Sequence, residues 1–139
     1  MKQRLLPIIF ALHLSACGTL DGISVGNAIW NETLPAGERI AQGTFVGQSG
    51  VTASGVAAII RSSTGKDIIR LEGVRLPSGG NLRILAVLDG QTVNIATLRS
   101  PTGNQNYTTG LGGQGSTWSS VSVYSPATLQ YYATAILLQ

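Results

Sequence analysis

The chain has 139 residues, of which 11% are charged and 18 are glycine, and its only His, Met and Cys all lie within the first 17 positions. This length fits one domain. Because general-base catalysis near neutral pH and the binding of haem, zinc or copper rely on His, Cys and Met, the composition argues against an enzyme and predicts no metal and no cofactor. The formal net charge of +3 falls to +1 without Lys2 and Arg4 of the leader segment, which leaves no electrostatic basis for binding nucleic acid.

The first 16 residues have the charge pattern of a secretory signal. Lys2 and Arg4 precede an apolar stretch, residues 5–14, that is too short to cross a bilayer. The run Leu14-Ser15-Ala16-Cys17 resembles the bacterial lipobox, in which the cysteine is acylated and becomes the first residue of the mature protein. We therefore predict a lipoprotein signal peptide over residues 1–16 and lipidation of Cys17, which would attach the protein to a membrane. An ordinary signal peptide, or a short N-terminal helix with a chance cysteine, is the alternative.

The residue after the cysteine bears on the location within the cell envelope. In the systems that the lipobox resembles, Asp at this position favours retention in the inner membrane, and this chain has Gly18. We therefore predict the periplasmic side of the outer membrane rather than the inner membrane. A Gram-positive outer leaflet is the alternative.

Residues 17–40 mix Gly, Asn, Pro and Thr with isolated apolar residues and show no sustained period. This composition predicts a tether between the lipid anchor and a folded domain. As an alternative, Ile29 and Trp30 add an edge strand to that domain.

The remainder, residues 41–139, consists of short alternating or apolar runs separated by turn signals. This pattern predicts an all-β fold, a single antiparallel β-sandwich of about seven or eight strands. Residues 62–66 and the pair Asp89-Gly90 predict hairpin turns. Residues 129–138 are apolar enough to predict a strand with both faces covered. The predicted strands are 43–46, 55–61, 67–76, 82–88, 93–98, 118–125 and 129–138.

Two short motifs suggest chemistry that their surroundings do not support. Residues 110–115 match G-x-G-x-x-G, but the residues that follow alternate like a strand, and no acidic residue occurs after Asp89 to hold a ribose. Ser63 and Lys66 match S-x-x-K, but they lie in a predicted turn rather than at the start of a helix. We therefore predict no nucleotide binding and no acyl-enzyme chemistry.

The stretch from Ser100 to Trp118 is long for a connection, nearly uncharged and rich in Gly, Asn, Gln and Thr. Such a loop suits hydrogen bonding to a polysaccharide or to the backbone of an envelope protein, so we predict a binding loop here. The alternative is a connection that binds nothing. The candidate binding residues are Gly103, Asn104, Gln105, Asn106, Tyr107, Gln114 and Trp118.

Eight short segments, in their order along the chain, resemble the segments of one domain family. They are 43–45, 53–60, 67–71, 77–84, 96–99, 103–107, 121–124 and 132–137. The family is the DM-thirteen domain, for which electron transfer is suggested and which is related to haem- or sugar-binding β-sandwich domains. The resemblance implies a β-sandwich over residues 41–138.

The chain departs from this family at one informative position. The cysteine proposed as the family's redox residue corresponds here to Ser125, and a hydroxyl cannot cycle between thiol and disulfide. By alternation Ser125 shares a face with Val121 and Val123, so we predict a buried, hydrogen-bonded serine. The predicted function is a lipid-anchored envelope protein with a non-catalytic binding module. An accessory to envelope electron transfer and a small hydrolase are the alternatives.

Overall fold

The computed structural model describes residues 30–139, and these form nine β-strands joined by turns and loops. The predicted signal peptide, Cys17 and residues 18–29 of the predicted tether lie outside the described residues. Within the described residues no helix is long and apolar enough to cross a membrane. The strands are β1 (Trp30–Asn31), β2 (Glu38–Gly47), β3 (Ser54–Arg61), β4 (Asp67–Arg75), β5 (Arg83–Leu88), β6 (Gln91–Thr97), β7 (Thr102–Thr108), β8 (Trp118–Ser125) and β9 (Gln130–Ile136).

The nine strands form one curled sheet in the order β1-β7-β4-β3-β2-β9-β8-β5-β6. Strand β2 joins its two parts, because residues 38–44 pair with β3 and residues 45–47 pair with β9. We call β1, β7, β4 and β3 the first half-sheet, and β9, β8, β5 and β6 the second half-sheet. All pairs are antiparallel except β1 with β7, so the sheet is mixed. The all-β prediction is confirmed, whereas the sandwich of two separate sheets is not.

The hydrophobic core lies inside the curl, where alternate residues of both half-sheets meet. Ile59, Ile69 and Leu71 face it from the first half-sheet, and Val121 and Val123 face it from the second, all with no solvent exposure. A fully buried side chain of this size contributes about 1.5–3 kcal/mol. The two half-sheets therefore hold each other through side chains as well as through β2.

Both predicted hairpin turns are confirmed. Asp89 and Gly90 connect β5 to β6 with positive φ angles of 50° and 81°, the geometry of a two-residue type I′ turn. Residues 62–66 connect β3 to β4, and Gly65 there has a φ of 82°. Asp-Gly and a Gly-containing loop are the sequences that these backbone angles require.

Two segments predicted to lie outside the sheet belong to it. Residues 30–31 pair with β7 and β2 begins at Glu38, so the predicted tether, residues 17–40, is too long at its C-terminal end. The alternative edge strand at Trp30 is the one observed, while Ile29 lies outside the described residues. Residues 102–108 form β7 rather than part of a loop, because their alternation is of polar amides and not of apolar side chains.

Strand β9 lies between β2 and β8, but only one of its faces is covered. Ala133 and Ala135 point into the core with no exposure, whereas Ile136 is 64% exposed. The prediction that both faces are covered is therefore wrong. Ala135 and Ala133 lie beside Val121 and Val123 of the neighbouring β8, and all four side chains belong to the core.

Candidate functional site

Three of the predicted binding residues are buried and support the fold. Gln105 and Trp118 have no solvent exposure, and Tyr107 is 4% exposed. The Tyr107 hydroxyl donates to Gln105 Oε1 at 2.5 Å, and Gln105 Nε2 donates to the carbonyl of Ser100 at 2.7 Å. These bonds satisfy buried polar atoms and fix the connection into β7. None of the three side chains is available to a ligand.

Asn104 and Asn106 lie on the opposite, outer face of β7, where they bind the N-terminal segment. Asn104 Nδ2 donates to Asn31 Oδ1 at 2.7 Å, and Asn106 Nδ2 donates to the carbonyl of Thr33 at 2.8 Å. Gly103 is buried in the same strand and pairs with Trp30. The predicted binding loop from Ser100 to Trp118 is therefore wrong over β7.

The rest of the predicted binding loop, residues 109–117, closes over a buried carboxylate. Asp67 has no exposure, and its Oδ2 accepts hydrogen bonds from Trp118 Nε1 at 2.8 Å and from the Gly113 amide at 3.0 Å. Arg61 pairs with the same carboxylate, donating from Nε at 2.9 Å and from Nη2 at 3.1 Å. Burial alone would raise the pKa of Asp67, but these hydrogen bonds outweigh it and hold that pKa below its ordinary value.

Gly112 explains why the glycine motif is present. Its φ is 72°, and a Cβ there would lie 2.1 Å from Asp67 Oδ2. The glycine lets the loop backbone approach the carboxylate of Asp67. The loop also accepts a hydrogen bond from Asp67, because the backbone amide of Asp67 donates to the Leu111 carbonyl at 3.1 Å. The motif therefore serves a protein anion rather than a phosphate. Gln114, in this loop, is the one predicted binding residue that is exposed.

Ser125 is buried as predicted, with 3% exposure. Its hydroxyl oxygen accepts a hydrogen bond from the Thr128 amide at 3.3 Å, at the turn that connects β8 to β9. The prediction of a buried serine bonded to nearby backbone is confirmed. Its role in this structure is to hold a turn.

The outer face of the first half-sheet is charged and covered by residues 32–37, which cross it between β1 and β2. Arg70, 5% exposed, lies beneath this strap and donates from Nη1 to the carbonyls of Glu32 at 2.7 Å and Thr33 at 3.2 Å. Arg39 pairs with Glu72 on the same face. The hydrogen bond from Arg39 is the main cause that lowers the pKa of Glu72.

The outer face of the second half-sheet, with the end of β2, has no covering segment among the described residues. Arg83 is the one charged residue in β5, β6, β8 and β9, and it donates to Asn94 Oδ1 at 2.8 Å and Thr97 Oγ1 at 2.7 Å. Val46 is 65% exposed and Ile136 is 64% exposed. We call this surface the bare face; its central residues are Thr44, Val46, Gln48, Ser120, Ser122, Thr134 and Ile136.

A row of hydroxyl groups crosses the bare face from β8 to β2. Thr134 Oγ1 donates to Gln48 Oε1 at 2.6 Å and lies 2.8 Å from Ser122 Oγ. Because a threonine hydroxyl has one proton, Ser122 must be the donor to Thr134. The row therefore has a fixed direction, from Ser122, which is 7% exposed, through Thr134 to Gln48. It leaves the side-chain NH₂ group of Gln48 for a partner.

The bare face contains two adjoining grooves. The larger, of about 510 Å³, lies between Val56 of β3 and the exposed Ile136 and Leu138, and the smaller, of about 320 Å³, includes Val46. Thr44 and Ile136 line both grooves. Exposed aliphatic side chains with hydroxyl and amide groups around them are typical of a surface that contacts another protein.

The comparisons with known proteins add no relative: no family model, no curated protein and no solved structure matches the chain. Across residues 30–139, no three His, Cys, Asp or Glu side chains come together in a way that could hold a metal ion. The sequence holds one signal for the bare face, since residues 100–139 contain no charged side chain.

Proposed function

We propose that this chain is a lipid-anchored protein of the bacterial cell envelope whose β domain binds a partner protein through the bare face and performs no catalysis. The observation that carries the proposal is the exposed aliphatic pair Val46 and Ile136, on a face whose strands β5, β6, β8 and β9 contain Arg83 as their one charged residue. On the first half-sheet, polar side chains are bonded to the chain itself. Within residues 30–139, only the bare face offers an extended surface of both aliphatic and hydrogen-bonding groups.

The chemistry of the bare face favours a protein over a polysaccharide. Flat sugar rings stack on aromatic side chains that present their faces together. Tyr124 and Tyr131, at the end of this face, have ring planes inclined by 58° at a centroid separation of 5.1 Å, so they do not form one platform. Val46 and Ile136 instead suit aliphatic or aromatic side chains of a protein surface.

Photo-crosslinking in intact cells tests the partner. A photoreactive residue placed at Val46 or Ile136 is expected to give a discrete adduct, and the same residue at the exposed Thr64, in the β3–β4 turn, is expected to give none. A second substitution, Gln48→Ala, is expected to reduce the adduct formed at Ile136. Equal adducts at Thr64 and Ile136 would contradict the proposal, as would adducts made of polysaccharide.

The membrane anchor rests on the lipobox-like run Leu14-Ser15-Ala16-Cys17. Lipidation is expected to incorporate a labelled fatty acid and to place the protein in the membrane fraction. Both should be lost in Cys17→Ala and kept in Gly18→Ala, which leaves the cysteine in place. A label that persists in Cys17→Ala would refute lipidation at this residue.

We also propose that the domain is a divergent DM-thirteen β-sandwich without the redox residue of that family. The ordered resemblance of its segments supports this relationship, and Ser125 stands at the family's cysteine position. Electron transfer through that position then requires a thiol that the chain lacks. Reversible electron uptake by the purified protein would contradict a non-redox role.

A further inference from the structure

Strand β6 leaves one edge of the sheet unpaired. It is the last strand in the sheet order and pairs only with β5. Among the described residues, no backbone hydrogen bond outside the strand ladders involves residues 91–97. A strand in this position presents amide and carbonyl groups to whatever can pair with them.

The hairpin geometry shows which groups of β6 face outward. The two-residue turn makes Leu88 and Gln91 a hydrogen-bonded pair, and such pairs alternate along an antiparallel ladder. Gln91 and Val93 therefore direct their backbone groups to β5, whereas Thr92 and Asn94 direct theirs to the open edge. The register shift opposite Ile84 and Leu85 ends this regular run after Asn94.

The open edge lacks the features that usually prevent strand pairing. Strand β6 contains no charged residue and no proline over its seven residues. The opposite edge of the sheet differs, because β1 has only two residues and is followed by the strap that crosses the outer face. On its inner side β6 carries Val93 and Ile95, which pack against the core but are only half-buried.

We propose that β6 pairs with β6 of a second copy of this chain, antiparallel about a two-fold axis at Val93. In this register Thr92 of each copy faces Asn94 of the other, so all the outward backbone groups of residues 91–94 are bonded. An axis at Thr92 or Asn94 would instead bring Gly90 of the turn or the irregular residue 96 into the pairing. The Val93 side chains of the two copies then meet and extend the core across the interface.

A second copy fits this edge because identical uncharged strands complement each other without repulsion between like charges. The pairing also joins the two bare faces into one continuous surface, since Thr92 and Asn94 lie on the same side as Val87 and Leu85. The proposal does not depend on the lipid anchor or on the partner of the bare face. It concerns a different set of atoms, the backbone of β6.

Cysteine cross-linking of the full chain tests the register. In an antiparallel ladder the Val93 Cα atoms of the two copies would lie about 4.5 Å apart, within disulfide range, whereas two Thr92 residues would be diagonal neighbours about 7–8 Å apart, beyond it. Under mild oxidation, Val93→Cys is expected to form at least about tenfold more disulfide dimer than Thr92→Cys. The unmodified chain is the control, because any disulfide dimer that it forms must involve Cys17.

A second arm decides the result if Val93→Cys does not fold. Thr92→Cys and Asn94→Cys are each expected to form little disulfide-linked dimer alone and to form it readily when co-expressed, because these two residues face each other only between copies. Adding Thr92→Pro to Val93→Cys removes an outward amide and is expected to abolish the dimer. Absence of dimer in both arms, or cross-linking of Thr92→Cys alone as efficient as that of Val93→Cys, would overturn the proposal.

Discussion

The two half-sheets use polar side chains in opposite ways. In the first, Arg70 and Asn106 donate to backbone carbonyls of the strap, Asn104 binds Asn31 of β1, and Asp67 is surrounded by donors from its own chain. In the second, the side chains of Ser122, Thr134 and Gln48 bond to one another on a face without a covering segment among the described residues, where Ser122 is 7% exposed and the neighbouring Ile136 is 64% exposed. Polar groups that are satisfied internally contribute to stability, whereas those on an exposed surface contribute little to it and remain free for recognition. The difference places the internally bonded polar groups and the exposed groups of the proposed binding surface in separate parts of one continuous sheet.

The largest expected effect comes from removing the buried carboxylate of the first half-sheet. Asp67→Ala leaves Arg61, Trp118 Nε1 and the Gly113 amide without their acceptor, so it should lower the free energy of unfolding by about 3–5 kcal/mol. Glu72→Ala breaks a partly exposed ion pair and should cost at most about 1 kcal/mol. Urea denaturation measures both. Similar losses for the two variants would remove the special role assigned to Asp67.

The next effect tests whether the glycine loop is shaped around that carboxylate. In Gly112→Ala the new methyl group meets Asp67 Oδ2, so we expect a loss of about 2–4 kcal/mol in unfolding free energy. Gly110 has a similar φ of 65° but open space at its Cβ position, so Gly110→Ala should cost only about 1 kcal/mol. Thermal and urea unfolding give the comparison. Equal costs would mean that backbone strain alone governs this loop.

A moderate effect is expected where the strap lies on the first half-sheet. Arg70→Met removes the donor to the Glu32 and Thr33 carbonyls, and the loss should be about 1–3 kcal/mol. Residues 32–37 should then exchange their amide hydrogens faster and be cleaved sooner by protease, while the rest of the sheet is unchanged. Arg75→Met, an exposed arginine of the same strand, is the control. A strap that remains protected in Arg70→Met would show that its other contacts, such as the Arg99–Glu32 ion pair and the bonds from Asn106, are sufficient to hold it.

Acid should weaken the first half-sheet more than the second. Because the pKa values of Glu32, Asp67 and Glu72 are lowered in the folded state, their contribution is complete above the pKa values of the unfolded chain and is lost as the pH falls through the folded-state values. The urea midpoint should therefore drop below a pH of about 4. Asp67→Asn should flatten this dependence, and an unchanged slope would contradict the assignment.

The smallest effect on stability is expected on the bare face. Ile136→Ser should change the free energy of unfolding by no more than about 0.5 kcal/mol, because the side chain is largely exposed. The same substitution should abolish the adduct formed at Val46 in the crosslinking experiment. The inward-facing Ala135→Ser is the stability control, since a hydroxyl group would enter the core there. A large loss of stability in Ile136→Ser would show that this residue serves the fold rather than a partner.

Alternation of apolar residues and turn chemistry predicted most of the strands, because both are local properties. Asp89-Gly90 specifies its turn by itself, and Ser125 follows Val121 and Val123 in period. Strand β7 was missed because Gln105 points inward as a hydrogen-bonding residue, and an amide gives no apolar signal. For the same reason the binding site was assigned to residues that support the fold.

The bare face could not be predicted from the sequence because it depends on which strands become neighbours. Ile136 is the largest aliphatic residue of β9, and the apolar composition of residues 129–138 predicts that it is covered. Its outward position follows from the pairing of β9 with β2 and β8, which are distant in sequence. The sequence records only that charge is absent from this region.

The dual pairing of β2 also has a consequence for the order in which the protein folds. Strand β2 pairs with β3, and β3 pairs with β4, in each case with the strand that follows it in the sequence. These pairings can therefore form as soon as the residues concerned are available. The bonds of β2 to β9 join residues 45–47 to residues 133–135, which requires closing a loop of most of the domain. We expect β2, β3 and β4 to pair early, and the exposed edge of β2 to wait for the last strand of the chain before the sheet can curl shut.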